Sequence, residues 1–318
     1  MRVKLGRPDL DRYARWFDVA PATGDFSVVF LGVATLLLDD GHSALLTDGF
    51  FSRPSLLKVG LTRLAPDAGR ISAALARAGL DGRRLDAVVP VHTHFDHAMD
   101  SAVVAQRCGA TLLGGRSVAH IGRGHGLPSD RIRVVATGER VTCGSFTLTF
   151  VASAHCPPDR YPGVITQPVV PPVRASAYRC GEAWSLLIRH TSGRTALVQG
   201  SAGFVAGALE GYRADVAYLG VGQLGLNDEG YLGSYWRETV RAVGARSVVL
   251  IHWDDFFRPL DRPLRALPYA GDDLDTTMRV LSRLAEHDGV TLHLPTVWRR
   301  EDPWSALRTT PVGGHGAG

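Results

Sequence analysis

Six consecutive residues, His92-Thr93-His94-Phe95-Asp96-His97, crowd three imidazoles and a carboxylate into one short piece of chain. Imidazole and carboxylate are the donors that suit zinc and its divalent neighbours. Alternate residues of an extended chain point to one side, so His92 and His94 share a face. Asp96 and His97 fall on the turn into the next helix. Two ligand sets can therefore diverge from one segment. A lone histidine is ordinarily a hydrogen-bonded surface or core residue. A cluster this dense is not, and its place in mid-chain behind an apolar run excludes an expression tag. The chemistry it points to is that of a bound metal ion.

The run Ala87-Val88-Val89-Pro90-Val91 before the cluster is short, rich in valine and without helical period, which predicts a buried strand over 87–91. Pro90 sits awkwardly there, because proline favours strand edges and ends. The same pattern, an apolar strand and then a candidate donor, recurs at Asp48, His155, Ser201 and His252. Strands are expected over 26–31, 34–38 and 44–47, with a turn at Asp39-Asp40-Gly41 between the last two, and they lead to Asp48-Gly49. A strand over 146–152 leads to His155. A hairpin of 184–189 and 195–198 leads to the turn Gln199-Gly200-Ser201-Ala202-Gly203. A strand over 247–251 runs into His252. Further strands are expected at 110–113, 131–135, 216–219 and 290–294.

Helices are expected over 9–17 with Asp9 as cap, 71–78 ending at Gly79, 96–108 ending at Gly109, 235–243 and 274–285, with a helical turn at 117–121. Between Pro157 and Pro172 lie six prolines, a density that no helix or central strand survives. This stretch directly follows His155 and reads as a wall of the active site. Strands followed by helices, twice over, suggest two similar halves in one domain covering 1–318. Its core runs from about 26 to 294, between a short N-terminal extension and a frayed glycine-rich tail, Pro311 to Gly318.

The chain has 318 residues, 45% hydrophobic and 21% charged, which is globular composition. A net charge of +4, spread evenly, argues against a nucleic-acid partner. The arginine-rich segments Gly82-Arg83-Arg84 and Trp298-Arg299-Arg300-Glu301 read as solvated surface. Cys108, Cys143, Cys156 and Cys180 form no CxxC pair and fit free thiols in a reducing compartment. Met1 to Phe17 has no apolar signal region, and no apolar run reaches membrane-spanning length. Cytoplasmic localisation, no membrane and a small-molecule substrate are the expectations; the oligomeric state is left open.

Taken together, HxHxDH at 92–97 and the later donors resemble the metallo-β-lactamase superfamily over roughly Phe26 to Leu294. The resemblance implies an α+β fold, a four-layer αββα sandwich with the site along one edge of the two sheets. It implies that His92, His94 and His155 hold a first metal, and Asp96, His97 and His252 a second. Asp48 would accept a hydrogen bond from the far nitrogen of a ligand imidazole. Read from the residues alone, Asp48 before Gly49 is equally a turn former. The chain departs from the family at Ser201, where most members have an aspartate bridging the metals. One subclass of true metallo-β-lactamases has these same ligands with a serine there. The block Phe26 to Arg53, with Gly32 and Asp48-Gly49-Phe50-Phe51, is more similar to the lactonase and phosphodiesterase branch.

The implied cofactor is zinc, in two ions, with iron or manganese as alternatives. Zinc brings the pKa of a bound water towards neutrality, giving a hydroxide nucleophile at working pH, and polarises carbonyl or phosphoryl oxygens. Asp96, the catalytic candidate, can ligate a metal and accept a hydrogen bond from the nucleophile. Ser201 lacks a Gly-x-Ser-x-Gly elbow and is no nucleophile. The expected function is hydrolysis of a small ester, lactone or phosphodiester. The alternatives are a β-lactamase, an iron redox protein or a non-catalytic metal binder. Arg53, Tyr161, Arg174, Asp254, Asp255 and Arg258 fall near predicted site loops and could grip a substrate.

Overall fold

In a computed structural model, which describes residues 4–308, two seven-stranded sheets pack face to face with helices outside. The first sheet holds β1 (Ser27–Phe30), β2 (Leu36–Asp39), β3 (Ala44–Thr47), β4 (Ala87–Val89), β5 (Thr111–Gly114) and β6 (Ile132–Val134) in that order. The second holds β7 (Arg140–Cys143), β8 (Phe146–Ala152), β9 (Trp184–His190), β10 (Thr195–Gln199), β11 (Val216–Gly220), β12 (Ser247–Ile251) and β13 (Thr291–His293). Each sheet starts antiparallel and continues parallel, from β3 in the first and β10 in the second. This repetition is the two-halves pattern of the sequence, and the whole is the αββα sandwich.

Strand geometry explains why most of the first sheet is apolar on both faces. Alternate residues face opposite ways. Val28, Phe30, Leu36, Leu38, Leu45 and Val89 join the core between the sheets. Their neighbours Val29, Leu31, Leu37, Leu46 and Val88 join a second core under the outer helices. That outer layer includes α2 (Ala68–Arg77), whose Ile71, Ala74 and Leu75 are buried at helical spacing. The Asp67 side chain accepts the Arg70 N–H and starts it. Over the second sheet lies α7 (Leu274–Asp288), started by Asp273 and closed by Gly289 in the left-handed region.

Several expectations needed correction. The helix expected over 96–108 is two, α3 (Phe95–Ala98) and α4 (Ser101–Arg107). At their junction the buried Asp100 carboxylate accepts Phe51 N–H, Ser52 N–H and Ser52 O–H, so it serves a neighbouring loop. The helix expected at 235 begins earlier, as α6 (Glu229–Trp236), and continues into a π turn, Arg237–Arg241. The Asp9-capped segment is a 3-10 helix, Leu10–Trp16. The short helix α1 (Leu56–Leu61) and strand β7 were not expected. Nor was β14 (Arg300–Glu301), which pairs with β1 on the sheet edge. Trp298-Arg299-Arg300-Glu301 is thus not simple solvated surface, since Glu301 is buried. Pro90 lies just past β4, where it removes no ladder bond. The tail Pro311 to Gly318 lies outside the described residues. Among the described residues no helix is long and apolar enough to cross a membrane.

Candidate metal centre

The strand ends that carry candidate donors meet along one edge of the sandwich. Asp48 follows β3, His92 and His94 follow β4, His155 follows β8, and His252 follows β12. Two groups of three donors form there, His92 with His94 and His155, and Asp96 with His97 and His252. Within each group the donor atoms lie within 4.8 Å of one another. The groups adjoin, with the His92 and His97 rings 3.8 Å apart between centroids.

The hydrogen bonds behind the imidazoles set which nitrogen faces inward. His97 Nδ1 lies 2.7 Å from Asp48 Oδ2, which is an acceptor only, so His97 Nε2 presents its lone pair to the second group. His155 Nδ1 likewise donates to the Cys156 carbonyl at 2.7 Å. His94 Nε2 faces the Tyr161 carbonyl at 3.4 Å and Asp159 Oδ1 at 3.2 Å, leaving Nδ1 inward. Facing nitrogens are 3.2 Å apart in both groups, His92 Nε2 to His94 Nδ1 and His97 Nε2 to His252 Nε2. A tetrahedral zinc with bonds of about 2.0–2.1 Å sets its ligand nitrogens roughly 3.3 Å apart. The residues therefore fit a metal ion in each group by spacing and donor type, with the lone-pair direction set at His94, His97 and His155.

Electrostatics separate the groups. Burial, followed by His97 and His94, pushes His92 well below its ordinary pKa. Burial also lowers His94, against the pull of Asp96 and Asp159. His155 falls to about 4 through burial and then His94. His97 goes the other way: burial is the largest single influence and opposes it, but Asp48 and Asp96 together outweigh it and raise the pKa. Burial alone would raise Asp96; His97 and His252 overcome it and hold the carboxyl well below its usual range.

The backbone is strained around this edge. Val33, Asp48, Arg53, Gln223 and His252 all have positive φ without being glycine. Such conformations concentrate at functional sites and persist where surroundings enforce them. Asp48 is both things its position allowed. It makes the turn at φ 51, and its carboxylate accepts Val91 N–H as well as serving His97. His252 is drawn out of β12 by its N–H, which donates to the Val33 carbonyl at 2.7 Å. Val33 N–H in turn reaches Asp254 Oδ1, whose other oxygen pairs with Arg53.

Of the candidate substrate contacts, Tyr161 reaches the site, its ring 6.3 Å from His94. Arg53 and Asp254 are instead buried partners behind His252. Asp255 pairs with Arg7 and Arg265, Arg258 bonds the Pro263 carbonyl, and Arg174 is exposed. Ser201 Oγ accepts the Cys156 N–H at 3.0 Å, which ties its turn to the end of β8. Cys156 is buried, its thiol 3.5 Å from the Asn227 side-chain nitrogen ahead of α6. The proline-rich loop splits in two. Asp159 to Tyr161 stands beside His94, whereas Ile165 and Val169 bond to Ser117 and His120 of α5 (Arg116–Gly124).

Two contributors escaped the sequence reading. Asp159 is a carboxylate soon after a ligand position, which was a usable signal. Gly222 carried none: its missing Cβ would stand 2.8 Å from His252 Nδ1, so a side chain there would collide with the ring.

Residues 28–196 match the Metallo-beta-lactamase superfamily. The chain belongs to this superfamily. A possible metal-dependent hydrolase from Veillonella parvula is similar at 14% identity and TM-score 0.53, over 87% of this chain and 99% of its own. CmlA, a diiron β-hydroxylase from Streptomyces venezuelae, is similar at 16% identity and TM-score 0.53, over 88% of this chain and 54% of its own. Igni18, a novel metallo hydrolase from Ignicoccus hospitalis, aligns at 14% identity and TM-score 0.49, over 87% and 96%. At such identities the likeness is one of fold. No curated protein matches the sequence.

Proposed function

We propose that the protein is a metal-dependent hydrolase that binds two zinc ions and acts on a small lactone, ester or phosphodiester. The observation that carries this reading is the pair of adjoining three-donor groups, whose facing nitrogens are 3.2 Å apart. Zinc bound there supplies Lewis acidity and an acidified water. The remaining work falls to the chain. His92, His94 and His155 would hold one ion, and Asp96, His97 and His252 the other. Asp96 stays ionised and accepts a hydrogen bond from the attacking water, orienting it. Asp48 keeps the His97 ring fixed through Nδ1. Phe95 and Phe256, whose rings are 6.2 Å apart, bring apolar surface beside His252 and favour a substrate with an apolar part.

The lactonase and phosphodiesterase branch is preferred over a β-lactamase because of the Phe26 to Arg53 block, whose Gly32 and Arg53 the structure packs behind His252. Elemental analysis after equilibration with zinc, together with a panel of lactones, phosphodiesters and β-lactams, tests the reading. Two equivalents and turnover of a lactone or phosphodiester are expected. Turnover of β-lactams alone, or activity only with iron and a reductant, would overturn it.

A further inference from the structure

His94 has an unusual neighbour on its outer edge. Nδ1 faces His92 across 3.2 Å, and Nε2 faces away, towards Tyr161 O and Asp159 Oδ1. Both of those oxygens only accept. Asp159 is itself held in place, because Tyr161 N–H donates to the same Oδ1 at 2.9 Å. The segment after the loop grips the residue before His94. Thr93 N–H donates to Cys180 O at 2.8 Å, the Thr93 hydroxyl to Arg179 O at 2.5 Å, and Cys180 N–H to Tyr161 O at 2.8 Å. There is no room for a side chain at Gly181, whose Cβ would lie 2.4 Å from Thr93 Oγ1. The loop and the segment after it thus close on the two residues Thr93 and His94.

We infer that Asp159 is a positioning residue for the first metal group, and that the proline-rich loop sets metal affinity through it. The inference rests on His94 being a metal ligand. A carboxylate behind a ligand imidazole fixes its tautomer and makes the facing nitrogen more basic. Asp159 Oδ1 stands 3.2 Å from His94 Nε2 as a charged neighbour, while the Tyr161 carbonyl of the same loop takes the hydrogen bond.

His94, Asp159 and Cys180 also lie close enough to be a third metal group. The two uses compete. Nε2 can hold a metal only after losing the proton that the Tyr161 carbonyl accepts, while Nδ1 faces the first group.

The test compares Asp159→Asn, Asp159→Ala and Cys180→Ser with the wild type, each loaded with zinc and then titrated with a chelator. The tautomer of His94 is read by nitrogen NMR on the metal-free proteins. Asp159→Ala should weaken the first zinc about 10–100-fold, leave the second unchanged, and lower the share of His94 in the Nε2–H form. Asp159→Asn should weaken the first zinc to a similar extent, since the amide lacks the carboxylate charge that lies 3.2 Å from Nε2. Cys180→Ser should keep the full zinc count. Wild-type affinity and tautomer in Asp159→Ala would overturn the inference, as would loss of a zinc equivalent in Cys180→Ser. His92→Ala separates the two levels: if that variant keeps all its zinc, the metal assignment itself fails, whereas its loss of zinc beside a normal Asp159→Ala defeats only the role of Asp159.

Discussion

Arg53→Met should be far more damaging than its distance from any donor atom suggests. The Arg53 and Asp254 side chains are both 0% exposed and form an ion pair. Arg53 Nη2 also donates to the Asp255 carbonyl at 3.0 Å. Asp254 Oδ1 accepts Val33 N–H at 2.8 Å, and Val33 O accepts His252 N–H at 2.7 Å. Val33, Arg53 and His252 have φ of 54°, 41° and 60°, each costing on the order of 1–3 kcal/mol that this network must offset. Methionine keeps much of the volume and removes the charge. It leaves the Asp254 carboxylate buried with a single backbone donor. Removing one partner of a buried pair costs about 3–5 kcal/mol, equivalent to a fall of roughly 10 °C in Tm for a chain of this size. Urea unfolding of chelator-treated protein measures it free of any contribution from bound metal. Arg53→Met combined with Asp254→Asn should recover part of the loss, because the orphaned charge is gone while an acceptor for Val33 remains. An Arg53→Met variant within about 1 kcal/mol of wild type, or a double variant no more stable than the single one, would refute the reasoning.

Three further outcomes are expected. Gly222→Ala places a Cβ 2.8 Å from His252 Nδ1 and should displace the ring, lowering zinc content by up to one equivalent with the fold intact by circular dichroism; unchanged zinc affinity would contradict it. Asp48→Ala removes the acceptor of His97 Nδ1 and should weaken the second zinc about 10–100-fold while sparing the first, as read by chelator titration; equal loss from both groups would point to a general defect. On acidification, protons compete with metal for imidazoles. The His97 pKa is raised and that of His155 is lowered to about 4, so the second zinc should leave first as pH falls from 8, and the first should persist below pH 6; elemental analysis at fixed pH checks the order, and joint release would contradict it.

The HxHxDH cluster is legible because it is local. Side-chain alternation in extended chain and the turn into α3 are short-range geometry, so both diverging sets could be read from 92–97. The strand-then-donor pattern marked Asp48, His155 and His252 for the same reason, since each follows an apolar run within a few residues. The sandwich was legible through the repeated order of strands and helices together with the family resemblance.

Other features depend on residues far apart in sequence. Only folding brings Arg53 to Asp254, Val33 to His252 and Asp159 to His94, and no local pattern reports such contacts. Glu301 looked solvated because a charged run normally is; pairing with β1 made it buried. Gly222 matters through a side chain it lacks, against a ring on another strand. The sequence by itself determined which donors exist and which strand ends carry them. The tertiary structure decided which nitrogen of His94 and His97 faces inward, because the acceptors behind the rings, the Tyr161 carbonyl and Asp48, come from loops that only the packed sheets bring alongside.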